Sequence, residues 1–459
     1  MIKLNTSDIQ GFVLSSYSEN MPCANYVLLK ITDAVKVRQW LNLIAEEITT
    51  SAQRKNDHCY NIAFTASGLL KIGLSESDLL TFPIVFQEGM ATPTRQQILG
   101  DQGNNEPVNW LWGNRQNPVN ILLLIFAKDE EELRRCLSAL DEIINVVGGV
   151  AIIDKLAAGR QPDNHEHFGF LDGVGQPVIE GTGQEAKQLG RTGHATVVKA
   201  GEFILGHKNE MNTIDPLPQT KDMPDFGRNG TYLVFRQLEQ HVHTFWNYLK
   251  DLTDSVGGVT NLKEQEKLAA KMIGRWKSGA PITSYPDADP GEPSAVIEDN
   301  NFNYASSDLA GFGCPVGSHI RRANPRDSLF DDPAASLNTV KRHRIMRRGR
   351  SYGDRKVDVY QDDKKERGLH FICLNSNIER QFEFIQQSWI NNQNFSALDH
   401  ETDPLIGHRG TNNLYSMQGC PVRKRIHGLH EFVTIKGGAY FFMPGMAALM
   451  QLCNPLIKK

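Results

Sequence analysis

The strongest constraint on the fold is a local unit that recurs along the chain, a short apolar strand followed by an amphipathic helix. YVLLKI at 26–31 and ILLLIFA at 121–127 begin two such units in the first half of the sequence. In the second half the unit begins with TYLVF at 231–235 and LHFICL at 369–374, and GAYFFMPGMAALMQL joins a late strand to a helix. This alternation predicts a layered α+β fold with helices over one face of each sheet, and its recurrence predicts a duplication.

Apolar spacing indicates where the helices lie. Asp33 is a predicted N-cap for a helix with an apolar stripe at Val37, Trp40, Leu41 and Ile44. A cleaner stripe after the second strand comprises Leu133, Cys136, Leu137, Leu140 and Ile144. Two more helices are predicted after strands of the second half, in RQLEQHVHTFWNYL and RQFEFIQQSWI.

The two halves are predicted to form domains of residues 1–200 and 201–459. The boundary lies near HATVVKAGEFILG at 194–206. Residues 283–304 carry many acids, amides and prolines, which is typical of a long surface connection, and they form an insertion in the second domain.

Charge and hydropathy exclude several classes of function. The chain has 49 basic and 53 acidic residues and a net charge of -4, so its overall charge does not favour nucleic acid or an anionic membrane as a partner. The N-terminus MIKLNTSDIQGFVL has neither the pattern of a signal peptide nor a twin arginine. The apolar run at 121–127 is too short to span a bilayer. We therefore expect a soluble, cytoplasmic protein.

The seven cysteines are scattered along the chain without a C-x-x-C pair. This spacing argues against structural disulfides and against a zinc site. Cys136 and Cys373 fall within apolar periodic segments, where a free cysteine usually behaves as a small buried hydrophobe.

The segment HEHFGFLDGVGQPVIEG at 165–181 places one carboxylate, Asp172, among Gly169, Gly173 and Gly175. An Asp–Gly pair is a common turn signal, and an Asp side chain often accepts hydrogen bonds from nearby backbone N–H groups. The alternative is an acid that takes part in chemistry. On this segment alone, the turn is the favoured interpretation.

The segment CPVGSHIRRANPRD at 314–327 places His319 after a Pro–Gly turn and just before Arg321 and Arg322. Two guanidiniums beside an imidazole would complement an anionic group close to a metal, such as the propionates of a haem. Iron held by one axial imidazole would keep its opposite face open for chemistry. A solvated basic loop is the alternative, and the spacing alone does not decide between the two.

The segment KRHRIMRRGRSYG at 341–353 is strongly basic. Such runs usually form a solvated surface or a surface that faces nucleic acid. Here Ile345 and Met346 interrupt the run, which lets Arg347 point inward while its neighbours stay in solvent or bind anionic groups. The aromatic residues expected between the basic residues of a single-strand binding groove are missing, so nucleic acid binding is disfavoured.

Three motifs in this order, GFLDG at 169–173, HIRRANPR at 319–326 and RIMRRGRSYG at 344–353, resemble those of the dye-decolorizing peroxidases. NIAFTASGLLKIGL, GTYLVFRQLEQ, GRWKSGAP and RQFEFIQQSWINN are also similar to family segments, so the resemblance covers almost the whole chain. DIQGFVL, the overall length and the long insertions resemble the larger, advanced subgroup. The resemblance implies duplicated ferredoxin-like α+β domains with antiparallel sheets, and one haem b per chain in a cavity mainly of the second domain.

The resemblance also implies roles for single residues. His319 would be the proximal iron ligand, Asp172 the distal acid-base residue and Arg347 the distal arginine. Leu369 and Phe371, in GLHFICL, match apolar residues that line the distal pocket.

Further residues are implied around the cofactor. Gly173 and its neighbouring glycines would let the backbone pass close to the porphyrin. By position, the candidates for binding the propionates are Arg321, Arg322 and Arg344. For the second ring nitrogen of His319, a carboxylate such as Glu383 or Asp399 is a candidate partner, and the sequence does not choose between them.

The implied activity is the oxidation of organic donors, such as dyes and phenols, by hydrogen peroxide in one-electron steps. An acidic optimum is expected, because an aspartate remains ionised in acid. Bulky donors would pass electrons through an aromatic residue, for which Tyr352, Trp389 and Trp246 are candidates. The alternative is a protein that stores, transfers or senses haem, although such a site would need neither Asp172 nor Arg347. Monomer and homodimer both stay open.

Overall fold

The computed structural model describes residues 4–53, 55–186, 196–254, 261–291, 300–410 and 413–454. Its strands, β1 to β13 in chain order, are Cys23–Ile31, His58–Phe64, Ile121–Ala127, Val150–Gly159, Val178–Ile179, Val197–Val198, Thr231–Gln240, Met346–Arg347, Arg350–Tyr352, Gly368–Asn375, Tyr415–Met417, Lys424–Ile426 and Val433–Met443.

The helices of the described part of the chain, numbered α1 to α13, are Gly11–Leu14, Lys36–Glu47, Ala66–Ile72, Glu76–Leu79, Ile84–Glu88, Pro93–Leu99, Glu130–Val147, Val242–Thr253, Leu262–Ile273, Tyr304–Ser307, His319–Ala323, Pro333–Lys341 and Met446–Cys453. Glu379–Glu383 and Ile385–Ile390 form π-helical turns. Short 3-10 turns form Gly103–Asn105, Pro107–Asn109, Ala200–Glu202 and Phe395–Ala397.

The strands confirm the duplicated ferredoxin-like fold. In the first half the strand order is β4-β1-β3-β2, and in the second half β13-β7-β10 is followed by β8 and β9 along the other side of β10. The main-sheet pairs are antiparallel. The two sheets join where Phe64 pairs with Phe442 and where Gly159 pairs with Ser351, and β7 pairs with β10. The pairings therefore close the strands of both halves into one ring.

Strand β3 shows why its sequence is apolar at every position. Ile121, Leu123 and Ile125 pack with the helix side of the sheet, in the cluster that includes Trp40 of α2. A second cluster lies inside the ring and unites strands of both halves. It contains the alternate residues of β3, which are Leu122, Leu124 and Phe126. Because successive side chains point to opposite faces, a strand buried on both faces has no polar side.

Several predicted helices are confirmed. Asp33 accepts hydrogen bonds from the N–H groups of Val35 and Lys36 at the start of α2, and Asp129 accepts one from Glu132 at the start of α7. Residues 236–240, however, continue β7 instead of starting a helix, because they pair with β10 on one side and β13 on the other. Tertiary pairing overrides the helical spacing of RQLEQ there.

The predicted boundary between the two domains falls within a long connection. The main strands of the first half end at Gly159 and those of the second begin at Thr231, so the predicted division at residue 200 lies within this connection. Residues 194 and 195 of the predicted boundary, and 292–299 of the predicted surface insertion, lie outside the described residues. Asn300 and Tyr304, at the end of that insertion, line an internal cavity.

Within the described residues, no helix combines the length and the apolar character that crossing a bilayer requires. All seven cysteines are free thiols, and Cys136 and Cys373 are buried. Both pack in the apolar cluster on the helix side of the sheets, as their periodic segments predict.

Candidate functional site

A cavity of about 320 Å³ lies over the outer face of the second sheet. Leu238 of β7, Leu369 and Phe371 of β10 and Val433 of β13 form its floor on that face. The other walls come from residues 166–176 of the connection between the halves, from α11, from residues 343–349 and from the π-helical turns. The cavity therefore brings together the three sequence motifs, which are far apart along the chain.

His319 is the first residue of α11 and lines the cavity. Its Nδ1 lies 2.9 Å from Oδ2 of Asp403, a fully buried carboxylate. The other oxygen of Asp403 accepts hydrogen bonds from the N–H groups of Leu405 and Ile406, at 2.9 and 3.0 Å. Burial opposes ionisation of Asp403, but His319 and the two N–H groups outweigh it, so its pKa lies below the usual value.

An ionised carboxylate can only accept a hydrogen bond, so Nδ1 of His319 carries the proton in this pair. The lone pair of Nε2 is then available to a metal, as in carboxylate–histidine–metal arrangements. The partner is neither of the two carboxylates that the sequence suggested. Glu383 instead accepts hydrogen bonds from Arg95 and Tyr440, and Asp399 pairs with His400 at the surface.

The loop that carries Asp172 needs its glycines. Gly169, Gly173 and Gly175 have φ values of 94°, 83° and 80°, in the left-handed region that favours glycine. Asp172 lines the cavity, and its Oδ1 accepts a hydrogen bond of 2.6 Å from the N–H of Gly173. Its own N–H donates to the carbonyl of Asn164. Asp172 is thus a turn residue, as the Asp–Gly pair indicates, and its carboxylate is exposed at the cavity.

Two arginines of the basic segment hold the Asp172 loop. Arg347 donates to the carbonyl of Val174 at 2.7 Å, and Arg344 donates to the carbonyl of Gly175 at 2.8 Å. Both line the cavity together with Arg326. Burial, followed by the charges of Arg326 and Arg347, lowers the pKa of Arg344 to about 9. Within the described part of the chain, no carboxylate lies within ion-pair distance of Arg344 or Arg347.

Arg321 and Arg322 do not reach the cavity, which corrects their assignment as partners of an anionic group there. Arg321 is buried, donates to the carbonyls of Asp308, Leu309 and Cys314, and lies over the ring of Tyr304. Arg322 is also buried, and it donates to three other carbonyls, those of Trp389, Asn392 and Glu401. Both guanidiniums thereby satisfy backbone groups that would otherwise be buried without a donor.

The apolar wall is set by the pleat of β10. Leu369 and Phe371 line the cavity, whereas the alternate residue Ile372 packs inside the ring with Leu374. His370 is buried between the two cavity residues, on the opposite face of the strand. The predicted placement of Leu369 and Phe371 at the cavity therefore follows from the period of two in a strand.

Three cavity or partner residues were missed by the sequence interpretation. Asp403 lies in ETDPL, which carries no signal beyond a turn. Arg326 is the last basic residue of HIRRANPR, and nothing in that segment favours it over Arg321 or Arg322 for binding an anionic group. Glu166 lies just before GFLDG and lines the cavity, and burial raises its pKa to about 6. A second carboxylate six residues before Asp172 was visible in the segment, but its position in the cavity was not.

The described residues fit a haem. The cavity has an imidazole whose Nδ1 is held by Asp403, an apolar wall, and two guanidiniums, those of Arg344 and Arg347, with no carboxylate of the described residues within ion-pair distance. Charged groups in such surroundings are costly without a counter-charge, and carboxylates such as propionates would supply one. His319 would hold the iron, and Arg344 and Arg326 would face the anionic groups.

Comparisons with known proteins find similarity over most of the chain. A family model described as the DyP dimeric alpha+beta barrel domain matches residues 8–152, and one described as Dyp-type peroxidase, C-terminal, matches residues 203–411. A dye-decolorizing peroxidase of Mycetinis scorodonius is 31% identical, over 97% of this chain and 87% of that protein. A multifunctional dye peroxidase of an Amycolatopsis species is 32% identical, over 74% of this chain and 72% of that protein. The crystal structure of a decolorizing peroxidase from Auricularia auricula-judae matches with a TM-score of 0.81 at 27% identity, and the match covers 98% of this chain and 100% of that one.

Proposed function

Because this chain belongs to the family of dye-decolorizing peroxidases and is a haem-dependent oxidoreductase, we propose that it uses hydrogen peroxide to oxidise aromatic dyes and phenolic donors in one-electron steps. We further propose that one haem b per chain binds in the cavity over the second sheet. The observation that carries this proposal is the shared lining of one cavity by His319, Asp172 and Arg347.

His319 would bind the iron through Nε2, because its Nδ1 is held by Asp403. The buried carboxylate would make the imidazole a stronger electron-pair donor to the iron, and it fixes the orientation of the ring. Gly173 has no heavy atom within 4 Å of the position that a Cβ would take, and its left-handed φ excludes a side chain without strain. The loop can therefore approach a flat cofactor closely.

When bound, haem would supply an iron centre that gives two electrons to peroxide and then takes one electron from each of two donor molecules. Asp172 would accept a proton from one peroxide oxygen and return it to the other, as a general base and then a general acid. Arg347 would stabilise the negative charge that develops on the peroxide oxygens. Leu369 and Phe371 would limit the access of water to this side of the cavity. Asp172 must start ionised to accept the first proton.

The anionic groups of the cofactor would lie near Arg344 and Arg326. This replaces Arg321 and Arg322, which do not line the cavity. Arg344 keeps a direct link to the Asp172 loop through the carbonyl of Gly175. Cofactor binding and the position of the distal loop would therefore depend on the same side chain.

Reconstitution with haem tests the proposal. The absorption spectrum and the peroxide-dependent oxidation of a dye are compared for the parent, His319→Ala, Asp172→Asn and Arg347→Leu. His319→Ala should lose or misligate iron. The other two should keep the haem spectrum, with the reaction with peroxide slowed about 10²- to 10⁴-fold in Asp172→Asn and about 10²- to 10³-fold in Arg347→Leu.

Asp154→Asn is the matched control, because Asp154 is exposed and lies outside the cavity. A parental rate in Asp172→Asn would contradict the acid-base role. A parent that binds haem but oxidises no donor between about pH 3 and about pH 8 would favour the storage alternative over the enzyme.

A further inference from the structure

The carboxylate of Glu166 is the centre around which the segment before Asp172 folds. Its two oxygens accept hydrogen bonds of 2.9 Å from the N–H groups of Phe168 and Phe170. The backbone N–H of Glu166 also donates to the carbonyl of Phe170, and the N–H of Gly169 donates to the carbonyl of Glu166. Glu166 therefore closes the turn that ends at Phe170, two residues before Asp172, through both its side chain and its backbone.

A third hydrogen bond ties Glu166 to the sheet. Nε2 of Gln240, the last residue of β7, lies 2.5 Å from an oxygen of Glu166. Strand β7 pairs with both β10 and β13, so this anchor belongs to a central part of the second sheet. The loop that carries the distal acid is therefore fixed to the same sheet that forms the floor of the cavity.

Among the described residues, two backbone N–H groups of its own loop and the amide of Gln240 from β7 bond the Glu166 carboxylate, and the charge of Asp172 also acts on it. Burial is the largest influence and raises the pKa of Glu166, the three hydrogen bonds lower it, and the nearby charge of Asp172 raises it again, to about 6.

We propose that Glu166 is a positioning residue for the distal acid: its carboxylate holds the loop that bears Asp172 against β7 and responds to the charge of Asp172. This inference rests on the proposed role of Asp172 in the reaction with peroxide. The alternative is a purely structural anchor, which would hold the loop without any coupling of charge.

The coupling is tested first in the cofactor-free chain, so that the result does not depend on turnover. Infrared difference spectra across a pH titration should show a carboxyl group that titrates near the value of about 6 and that is absent from Glu166→Gln. In Asp172→Asn the midpoint should fall by about half a pH unit, because a neighbouring negative charge is removed. In Gln240→Leu it should rise, because a hydrogen bond to the ionised form is lost.

Glu239→Gln is the matched control. Glu239 precedes Gln240 on β7, pairs with Lys436 and does not line the cavity. Removal of the Glu239 charge should leave the titration midpoint of Glu166 unchanged. If Asp172→Asn also leaves the midpoint in place, the coupling is refuted, even if Glu166→Gln itself does not fold.

The second test uses the haem-loaded protein. The rate of reaction with peroxide is measured against pH for the parent, Glu166→Gln and Glu166→Asp, with the haem spectrum as a check on folding. The profile of the parent should contain a step near pH 6, because ionised Glu166 accepts the three hydrogen bonds that hold the loop and the neutral form accepts them more weakly. The step should be absent from Glu166→Gln, which does not titrate, and present in Glu166→Asp.

A step near pH 6 that persists in Glu166→Gln with an intact haem spectrum would overturn the inference. A parent that does not react with peroxide, while its Glu166 midpoint still responds to Asp172→Asn, would instead refute the proposed function and leave the coupling standing. The two failures are therefore distinguishable.

Discussion

Nδ1 of His319 lies 2.9 Å from Oδ2 of Asp403, although the two residues are 84 positions apart in the chain. Asp403 is completely buried, and the N–H groups of Leu405 and Ile406 hold its second oxygen. A buried carboxylate fixed on one side by the backbone and on the other by an imidazole keeps that ring in one orientation. The pair therefore determines where Nε2 of His319 points.

Asp403→Asn should change the properties of the iron site without changing its ligand. The amide can still accept a hydrogen bond from His319, but it carries no charge, so the imidazole becomes a weaker donor and the reduction potential of bound iron should rise. Iron affinity or activity should fall about 10- to 100-fold. Redox titration of the haem-loaded protein checks this, with exposed Asp399→Asn as the control. An unchanged potential would show that the charge of Asp403 has no influence on the site.

Arg344→Met should affect cofactor binding more than the stability of the empty chain. Burial, and then the charges of Arg326 and Arg347, lower the pKa of Arg344 to about 9, so its charge is unfavourable in the folded chain. Removing the charge relieves this cost but also removes the donor to the carbonyl of Gly175, so the Tm of the cofactor-free protein should change little. The same change should weaken haem binding, measured as faster transfer of haem to an acceptor protein. A variant that lowers the Tm and leaves haem retention unchanged would contradict the assignment.

Arg322→Met should show the reverse pattern. The substitution would leave the buried carbonyls of Trp389, Asn392 and Glu401 without the donor they now have. Each unsatisfied group costs about 1–3 kcal/mol, so the Tm should fall clearly, whereas the folded fraction should retain haem like the parent. Thermal unfolding and haem transfer measured on both arginine variants compare the two roles directly. Faster loss of haem from folded Arg322→Met would return this residue to the cofactor site.

His370 should make the protein sensitive to acid. Burial lowers its pKa from 6.5 to about 3. As the pH falls below 6.5, the unfolded chain binds a proton at this residue and the folded chain does not until about pH 3, so folding stability decreases across this window. The slope from this one group approaches about 1.4 kcal/mol per pH unit.

His370→Gln should reduce this acid sensitivity, because glutamine can still donate to the carbonyl of Ala157, as Nε2 of His370 does at 3.2 Å. Denaturant unfolding at about pH 7 and about pH 4 measures the difference between the variant and the parent. Exposed His400→Gln serves as the control. An equal loss of stability in the parent and in His370→Gln would assign the acid sensitivity to other groups.

Tyr352 is the best placed of the three aromatic residues for oxidising bulky donors. It is partly exposed, and its ring stacks on His370 with centroids 4.5 Å apart, next to the two cavity residues of β10. Trp246 has the ammonium of Lys277 4.3 Å from its ring centre, and a nearby cation disfavours a positively charged radical. Trp389 is buried and lines the cavity itself.

Tyr352→Phe should therefore lower the turnover of a bulky dye several-fold more than that of a small phenol. Trp246→Phe should affect neither, and it is the matched control for loss of an aromatic group. Steady-state rates with both donors decide the question. Equal losses with the dye and the phenol in Tyr352→Phe would place the oxidation of both donors at the cavity.

The sequence by itself determined the local elements and the identity of the main site residues. Apolar spacing predicted β1 and β3, the helices that follow them, and the late strand and helix, since burial of one face sets the period of a helix or strand. The order of three motifs placed Asp172, His319 and Arg347 in one family pattern. The structure brings these three residues to one cavity, and their chemical roles stay predictions that the variants above test.

Only the tertiary structure decided which neighbours serve them. Arg321, Arg322, Arg326 and Arg344 look alike in a sequence, and all four donate to backbone carbonyls, but packing places only Arg326 and Arg344 at the cavity. Asp403 could not be chosen over other carboxylates, because a hydrogen bond depends on distances of about 3 Å between segments that are far apart in the chain. Likewise residues 236–240 form a strand because β10 and β13 supply partners on both sides.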